Sequence, residues 1–287
     1  MQNAEIGIIG GSALYTLEGA KLLEELDIDT PWGKPSDSIS IVEIGGIKAA
    51  FLPRHGRGHV HLPHEVNYRA NIAALKMLGV KEVLAFSAVG SLKEEIAICD
   101  FTIPNQIIDR TKARPSSFFG NGIAAHVAFA EPFCARLCKV LETAASQMGL
   151  SCHTGETVIC MEGPAFSTKA ESNMYRSFGA GVINMSVLPE AKLAREAELC
   201  YGLVCMTTDY DCWRESTEDV SITMVIENLN KNAANARNLI AKVIPMLGQE
   251  RNCICPSASE NAIITDKEKW PKEQKTKLSA VLPDYFS

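Results

Sequence analysis

The sequence predicts one α/β domain built on a mainly parallel or mixed sheet. Three observations lead there. Apolar runs of strand length recur at residues 6–9, 83–86, 157–161, 182–185 and 201–206. Segments with helical spacing separate most of them, which is the alternation of a layered α/β fold. No internal repeat and no linker breaks the pattern before about residue 249, so residues 1–287 read as a single domain.

The elements follow in order. Ile6-Gly7-Ile8-Ile9 reads as a short buried strand ending in Gly10-Gly11-Ser12. Runs at 39–44 and 47–52 flank Gly45-Gly46, the signal of a β-hairpin. Helical spacing over 66–78 sets Ile72, Leu75 and Leu78 on one side, and Gly79 supplies the stop. The strand at 83–86 is expected to break at Ser87-Ala88-Val89-Gly90-Ser91. Residues 101–103 and 106–108 are strand material around Pro104-Asn105, and 131–148 is a helix closed by Gly149. The strand at 157–161 runs into Glu162-Gly163-Pro164. Thr168 and Glu171 make a capping box that opens a helix to about Phe178. After the strand at 182–185, Pro189 suits the first turn of the next helix. The longest helix starts near Val220, with Val225, Leu229, Ala233, Ala236, Ile240 and Val243 as its apolar stripe. Residues 249–277 are polar and resemble an inserted surface loop, while 278–282 are apolar again and should dock on the body.

Composition narrows the function. Hydrophobic residues make up 46% and aromatics 7%, as in an ordinary globular protein. A net charge of -6 without a basic cluster argues against nucleic acid as partner. No secretion signal and no membrane span of roughly 18 apolar residues is expected. The ten cysteines then read as reduced thiols, mostly small buried hydrophobes. Cys253-Ile254-Cys255 is too closely spaced for an ordinary zinc pair and has no second pair with it, so no metal is expected there.

The richest segment is Thr207-Thr208-Asp209-Tyr210-Asp211-Cys212-Trp213, at the exit of the strand at 201–206. Two carboxylates two residues apart face one ligand if the backbone stays extended. A carboxylate accepts hydrogen bonds when ionised and donates when protonated, which suits a heterocycle offering an exocyclic amine and a ring nitrogen, as adenine does. Three loops at strand ends carry small polar or basic residues: Gly10-Gly11-Ser12, Pro53-Arg54-His55-Gly56-Arg57 and Ser87-Ala88-Val89-Gly90-Ser91. Ligands of open α/β sheets bind at such ends, and N–H groups, hydroxyls and an arginine fork together make a phosphate-sized site. Ser186, just ahead of the helix at Pro189, adds a further donor. Two rivals are weaker. Arg54-His55-Gly56 recurs in histidine phosphatases, but there it follows the first strand. His59, His61 and His64 lack an acidic second shell apart from Glu65 and read as pocket or loop residues rather than metal ligands. The dinucleotide and Walker fingerprints are both missing.

In this order the loops resemble the purine nucleoside phosphorylase family, closest to its methylthioadenosine phosphorylase branch. The matching segments include Gly7-Ile8-Ile9-Gly10-Gly11-Ser12, Asp29-Thr30-Pro31-Trp32-Gly33, Arg54-His55-Gly56-Arg57, Val66-Asn67-Tyr68-Arg69-Ala70-Asn71, Glu162-Gly163-Pro164, Val182-Ile183-Asn184-Met185 and Thr208-Asp209-Tyr210-Asp211-Cys212-Trp213. The resemblance implies one α/β domain around a mixed, partly barrel-like sheet flanked by helices, assembled as a homotrimer. It implies reversible phosphorolysis of a purine nucleoside, with inorganic phosphate as co-substrate and no cofactor. Ser12, Arg54, His55, Ser87, Ala88 and Ser186 match its phosphate site. Met185 matches the residue beside the ribose hydroxyls, with Ile183 in the same substrate-binding segment, and Phe166 the aromatic on the base. Asp209 and Asp211 match its purine-reading pair, and Asp rather than Asn at 209 favours a 6-amino base. Ile222, Val225 and Ile226 match an apolar patch around the 5' substituent. His126 and Val281 match positions given by a neighbouring subunit. A cytoplasmic location, with the nucleus as a second one, goes with this reading.

The chain also departs from the pattern. Ser12, Ser87 and Ser186 stand where threonine is more usual, which keeps the hydroxyl and loses a methyl. Ala165 replaces a basic residue, and residues 249–277 do not align. The expected reaction is attack by phosphate on C1' of methylthioadenosine through an oxocarbenium-like state, with Asp209 serving N7 and Asp211 the exocyclic amine. A broader nucleoside phosphorylase, a nucleoside hydrolase and a non-catalytic nucleoside sensor are the alternatives.

Overall fold

The computed structural model describes residues 4–11, 14, 17, 19–214, 222–248 and 250–286, the side chains of 222 and 224 excepted. Eleven strands join in one sheet: β1 (Ile6–Gly10), β2 (Lys21–Leu26), β3 (Ile39–Ile44), β4 (Ile47–Pro53), β5 (Glu82–Ser91), β6 (Phe101–Ile103), β7 (Gln106–Arg110), β8 (Cys152–Thr154), β9 (Thr157–Met161), β10 (Val182–Asn184) and β11 (Cys200–Asp209). The helices are α1 (Tyr68–Met77), α2 (Ala135–Gln147), α3 (Lys169–Ser177), α4 (Val187–Glu196), α5 (Ile222–Val243), α6 (Lys272–Leu278) and α7 (Pro283–Phe286).

Strand β5 is the hub. It pairs in parallel with β1 and β11 and antiparallel with β10. The path runs β2-β3-β4-β1-β5-β10-β9-β7, while β11 leaves β5 to reach β6 and then β8. The sheet is therefore mixed, and it branches at its centre. The expected break at Ser87 does not occur. β5 continues to Ser91 because Thr207 pairs with Val89, Asp209 with Gly90 and Val182 with Ser91. Partners on both sides satisfy the backbone there, and that pairing overrides the weak strand preference of serine and glycine.

Other boundaries follow from local chemistry. Gly45 and Gly46 both take positive φ at the β3–β4 turn, where a side chain would be strained. Thr168 and Glu171 form the reciprocal cap of α3. α2 starts at Ala135 rather than 131, because Arg195 holds the Glu131 carbonyl and the Cys134 N–H bonds to the Tyr201 carbonyl. Helix α2 lies close on β11 over Gly202, where a Cβ would come within 3.0 Å of Leu137 and 3.1 Å of Leu141. The α5 stripe is as expected: Leu229, Ala233, Ala236, Ile240 and Val243 are buried, and Val225 is half-buried.

Residues 249–277 are not a loose surface loop. They hold 3-10 turns at Cys255–Ser257 and Lys267–Lys269 and most of α6. Ser259 bonds to the Glu196 carbonyl and to the Glu198 carboxylate, Gln274 to the Phe118 carbonyl, and Ile263 pairs with Ala125. Buried polar groups matched to partners on the body turn a polar stretch into packed structure. No helix among the described residues is long and apolar enough to cross a membrane.

Candidate active site

Parallel register brings two loops and the middle of β5 to one level. Gly10 pairs with Pro53 and Ile9 with Ala85, so Gly11 and Arg54 leave the carboxyl ends of β1 and β4 beside Ser87, which stays within β5. Arg54 is fully buried. Its Nε and Nη2 donate to the two Glu190 oxygens at 2.7 and 2.8 Å, and Nη1 donates to the Phe86 carbonyl at 2.9 Å. Tyr201 donates to the same Glu190 carboxylate at 2.7 Å. Burial works against the Arg54 charge, but Glu190 outweighs it and keeps the guanidinium protonated. Gly11 is required beside this group, since a Cβ would meet the Phe86 carbonyl at 2.7 Å and Arg54 Nη1 at 3.1 Å.

His55 lies next to this arginine, with Nδ1 3.0 Å from the His61 carbonyl and its ring stacked on His59 at 4.4 Å. Burial, then the Arg54 charge, pushes its pKa down to about 3. The ring is neutral, the carbonyl fixes the proton on Nδ1, and Nε2 keeps a lone pair. Such a nitrogen accepts from the O–H of a hydrogen phosphate. Ser87 completes this end: its Oγ is 3.4 Å from Ser186 Oγ, donates to the Ala88 carbonyl at 3.1 Å, and receives Asn184 Nδ2 at 3.2 Å. Ser186 precedes α4 without capping it, so its hydroxyl is not committed to the helix.

The acidic end lies three residues further along β5. Asp209 pairs with Gly90, and three strand residues span about 10 Å. A Cβ on Gly90 would sit 2.9 Å from Asp209 Oδ1 and 3.2 Å from Ile183. Asp209 accepts from the Thr208 hydroxyl and from the Asp211 N–H, both at 2.8 Å, and burial raises its pKa to about 6. Asp211 is buried in a left-handed conformation (φ 50), with Oδ2 lacking any partner among the described residues. Burial raises its pKa as well. The Ser172 and Ser167 hydroxyls face this carboxyl and favour its charged form, against burial.

Between the ends, Ile183 pairs with Gly90, and Met185 sits over Gly163, where a Cβ would come within 2.5 Å of its sulfur. Phe166 is 43% exposed and Ile226 51% exposed, Val225 is half-buried, and Ala88 is half-buried on β5. Ser12 and the side chain of Ile222 lie outside the described residues.

The two residues expected to reach a neighbouring subunit differ in exposure. His126 is exposed, on a segment bonded to the Ala262 carbonyl. Val281 is wholly buried in the core of its own chain, so its side chain is not presented to a neighbour as the family pattern implied. The apolar 278–282 turn docks inward because Leu278, Val281 and Leu282 bury together.

Several supporting residues were invisible in the sequence. Glu190 reads as an ordinary acid in a helix's first turn. Arg114 is buried and donates to the carbonyls of Met185, Leu188 and Glu162 at 2.6 to 2.7 Å, tying both loops around Met185. Asn228 and Asn232 from α5 donate to the Thr208 and Thr207 carbonyls, bracing the strand that carries Asp209. The asparagines at this four-residue spacing on one helix face were the only available signal.

Residues 5–245 match the family model of the phosphorylase superfamily. The chain belongs to the phosphorylase superfamily. It is 52% identical over 281 residues to the S-methyl-5'-thioadenosine phosphorylase of Geobacter sulfurreducens, covering 98% of each. It also superposes on the crystal structure of a methylthioadenosine phosphorylase sourced from an antarctic soil metagenomic library, with TM-score 0.93 and 44% identity over 99% of this chain and 100% of that one. A Schistosoma mansoni methylthioadenosine phosphorylase in complex with adenine gives TM-score 0.83 and 33% identity over 98% of both. These superfamily relatives extend through residues 249–277, so that segment is shared rather than inserted.

Proposed function

We propose that this chain catalyses the reversible phosphorolysis of S-methyl-5'-thioadenosine, giving adenine and 5-methylthioribose 1-phosphate in purine and methionine salvage. The observation that carries the reading is the pairing of two unlike ends on one strand. A guanidinium and two hydroxyls gather at the Ser87 rung, and two buried carboxyl groups gather at the Gly90 rung about 10 Å away, the span of a nucleoside.

Phosphate acts as nucleophile at C1' and as counter-charge to the developing ribosyl cation, so positioning and electrostatics supply most of the acceleration. Arg54 and the Ser87 and Ser186 hydroxyls orient the anion, with Ser12 as a further donor. His55 Nε2 accepts a hydrogen bond from the phosphate O–H and stays neutral. As the C1'–N9 bond breaks, its electron pair passes into the purine. Asp209, raised to about 6, gives a proton to N7. Asp211 Oδ2 accepts from the exocyclic amine. Met185 and Ile183 flank the ribose, and Phe166 covers the base. Val225 and Ile226 form an apolar surround for the 5' methylthio group, and the family pattern assigns Ile222 to the same role. That fit discriminates by only about 1–3 kcal/mol per methylene, so adenosine is a second substrate. A homotrimer, with His126 reaching the next subunit, and a cytoplasmic and nuclear location belong to the same proposal.

The test is adenine release, read by absorbance with and without inorganic phosphate. Release only with phosphate supports phosphorolysis. Steady release without phosphate indicates a hydrolase. Binding without product in a single turnover with phosphate indicates a sensor.

A further inference from the structure

Far from the ligand loops, the chain folds four cysteines onto one point. Cys134 is the residue that precedes α2, Cys200 opens β11, and Cys253 and Cys255 lie in the turn after α5. Their sulfur atoms all lie within 4.8 Å of one another, and Cys200 Sγ is 3.5 Å from Cys253 Sγ. All four are free thiols; Cys134, Cys200 and Cys255 are buried, while Cys253 is half-buried. We propose that these four thiols form a structural tetrathiolate site for one zinc ion.

The geometry fits that ion. Four sulfurs at about 2.3 Å from a tetrahedral centre are separated by about 3.8 Å. A disulfide needs about 2.05 Å, well short of the Cys200–Cys253 separation. Sulfur-only tetrahedral coordination selects zinc among the common divalent ions. Buried thiols acting only as small hydrophobes have no reason to converge. Among the described residues the other six cysteines, including buried Cys138, Cys160 and Cys205, join no such group. The Cys253-Ile254-Cys255 spacing is tighter than an ordinary zinc pair and has no second pair near it in sequence; folding supplies Cys134 and Cys200 as that second pair.

The surroundings agree. Binding releases the four thiol protons to solvent and leaves two net negative charges on the complex. Arg136, one residue into α2, places its guanidinium beside Cys200 and also pairs with Glu82. The half-exposed Cys253 gives the ion an entry side. The site would tie the carboxyl-terminal region to the root of β11 and the start of α2. It takes no part in the reaction.

Elemental analysis of the full chain, purified and kept reduced, tests this. We expect one zinc per chain. Replacement by cobalt should give thiolate-to-metal charge-transfer absorption in the near ultraviolet and tetrahedral bands in the visible. The paired Cys253→Ser and Cys255→Ser changes should lose that equivalent, and Cys138→Ser should keep it. Because the wild-type cobalt spectrum stands alone, a misfolded variant does not shield the idea. A reduced chain that binds no stoichiometric zinc, a cobalt spectrum without thiolate bands, bound iron in place of zinc, or a native mass lowered by disulfide formation would each overturn it.

Discussion

On the proposed mechanism, replacing Asp209 with asparagine removes the proton given to the purine while leaving the shape nearly intact. The wild-type carboxyl accepts from the Thr208 hydroxyl and the Asp211 N–H at 2.8 Å, and burial raises its pKa to about 6. At pH 7 about a tenth of the free chains carry the proton, and that fraction falls tenfold for each further pH unit. A positioned acid contributes about 10²- to 10⁴-fold, or about 3–5 kcal/mol at 1.36 kcal/mol per decade. Asp209→Asn should therefore lower kcat/KM for methylthioadenosine by about that factor. The wild type should also show a downward bend near pH 6 that the variant lacks. The assay is initial rate by absorbance from pH 5 to 9 at saturating phosphate, where phosphate titration is common to both proteins and cancels in their ratio. A variant within about threefold of wild type, or a bend that persists in it, would refute proton donation by Asp209.

Glu190→Gln leaves Arg54 charged and fully buried without its counter-ion, and should cost about 3–5 kcal/mol in urea unfolding. A loss below about 1 kcal/mol would mean that Tyr201 and the Phe86 carbonyl suffice. Gly90→Ala puts a methyl 2.9 Å from Asp209 Oδ1 and should raise KM for the nucleoside far more than KM for phosphate, as read in two-substrate kinetics. Glu196, buried against Ser117 and the Phe118 N–H, has its pKa raised by burial to about 7 from 4.5. The folded chain then binds a proton that the unfolded chain releases, so stability falls as pH rises from about 4.5 to 7 and the loss is complete above that. The span corresponds to about 3 kcal/mol, and Asp209 adds a loss of the same sign between 3.8 and about 6. Urea midpoints at pH 5 and pH 8 check this, and equal stability at both would count against it.

Elements with local signals were legible in the sequence. The hairpin at Gly45-Gly46, the capping box of α3 and strand β9 fell where spacing put them. The aspartate couplet stood out because two carboxylates at the end of an apolar run are unusual chemistry, but Asp211 takes a left-handed turn in place of the extended backbone assumed for the pair. The continuation of β5 was not, since only its pairing with β10 and β11 makes Ser87 to Ser91 a strand. The packing of residues 249–277 rests on single polar bonds to distant groups such as Glu196 and Glu198, which leave no periodic trace. Glu190 and Arg114 look like surface charges until burial and partners are known, and the cysteines converge only across three segments remote in the chain.

Because the oxyanion end and the carboxyl end are rungs of one strand, β5 serves as a ruler graduated by the peptide bond itself. Its length does not change when a surface loop moves, since neighbours on both sides hold it. If phosphate and base bind at these two rungs as proposed, the gap between nucleophile and departing base is a fixed dimension of the scaffold, and substrates that differ in base or sugar core have little room for accommodation. On the proposed reading, variation in diet is left to the periphery, where α5 would border the 5' substituent. Attempts to retarget the catalyst have their best prospects there rather than along the measured interval.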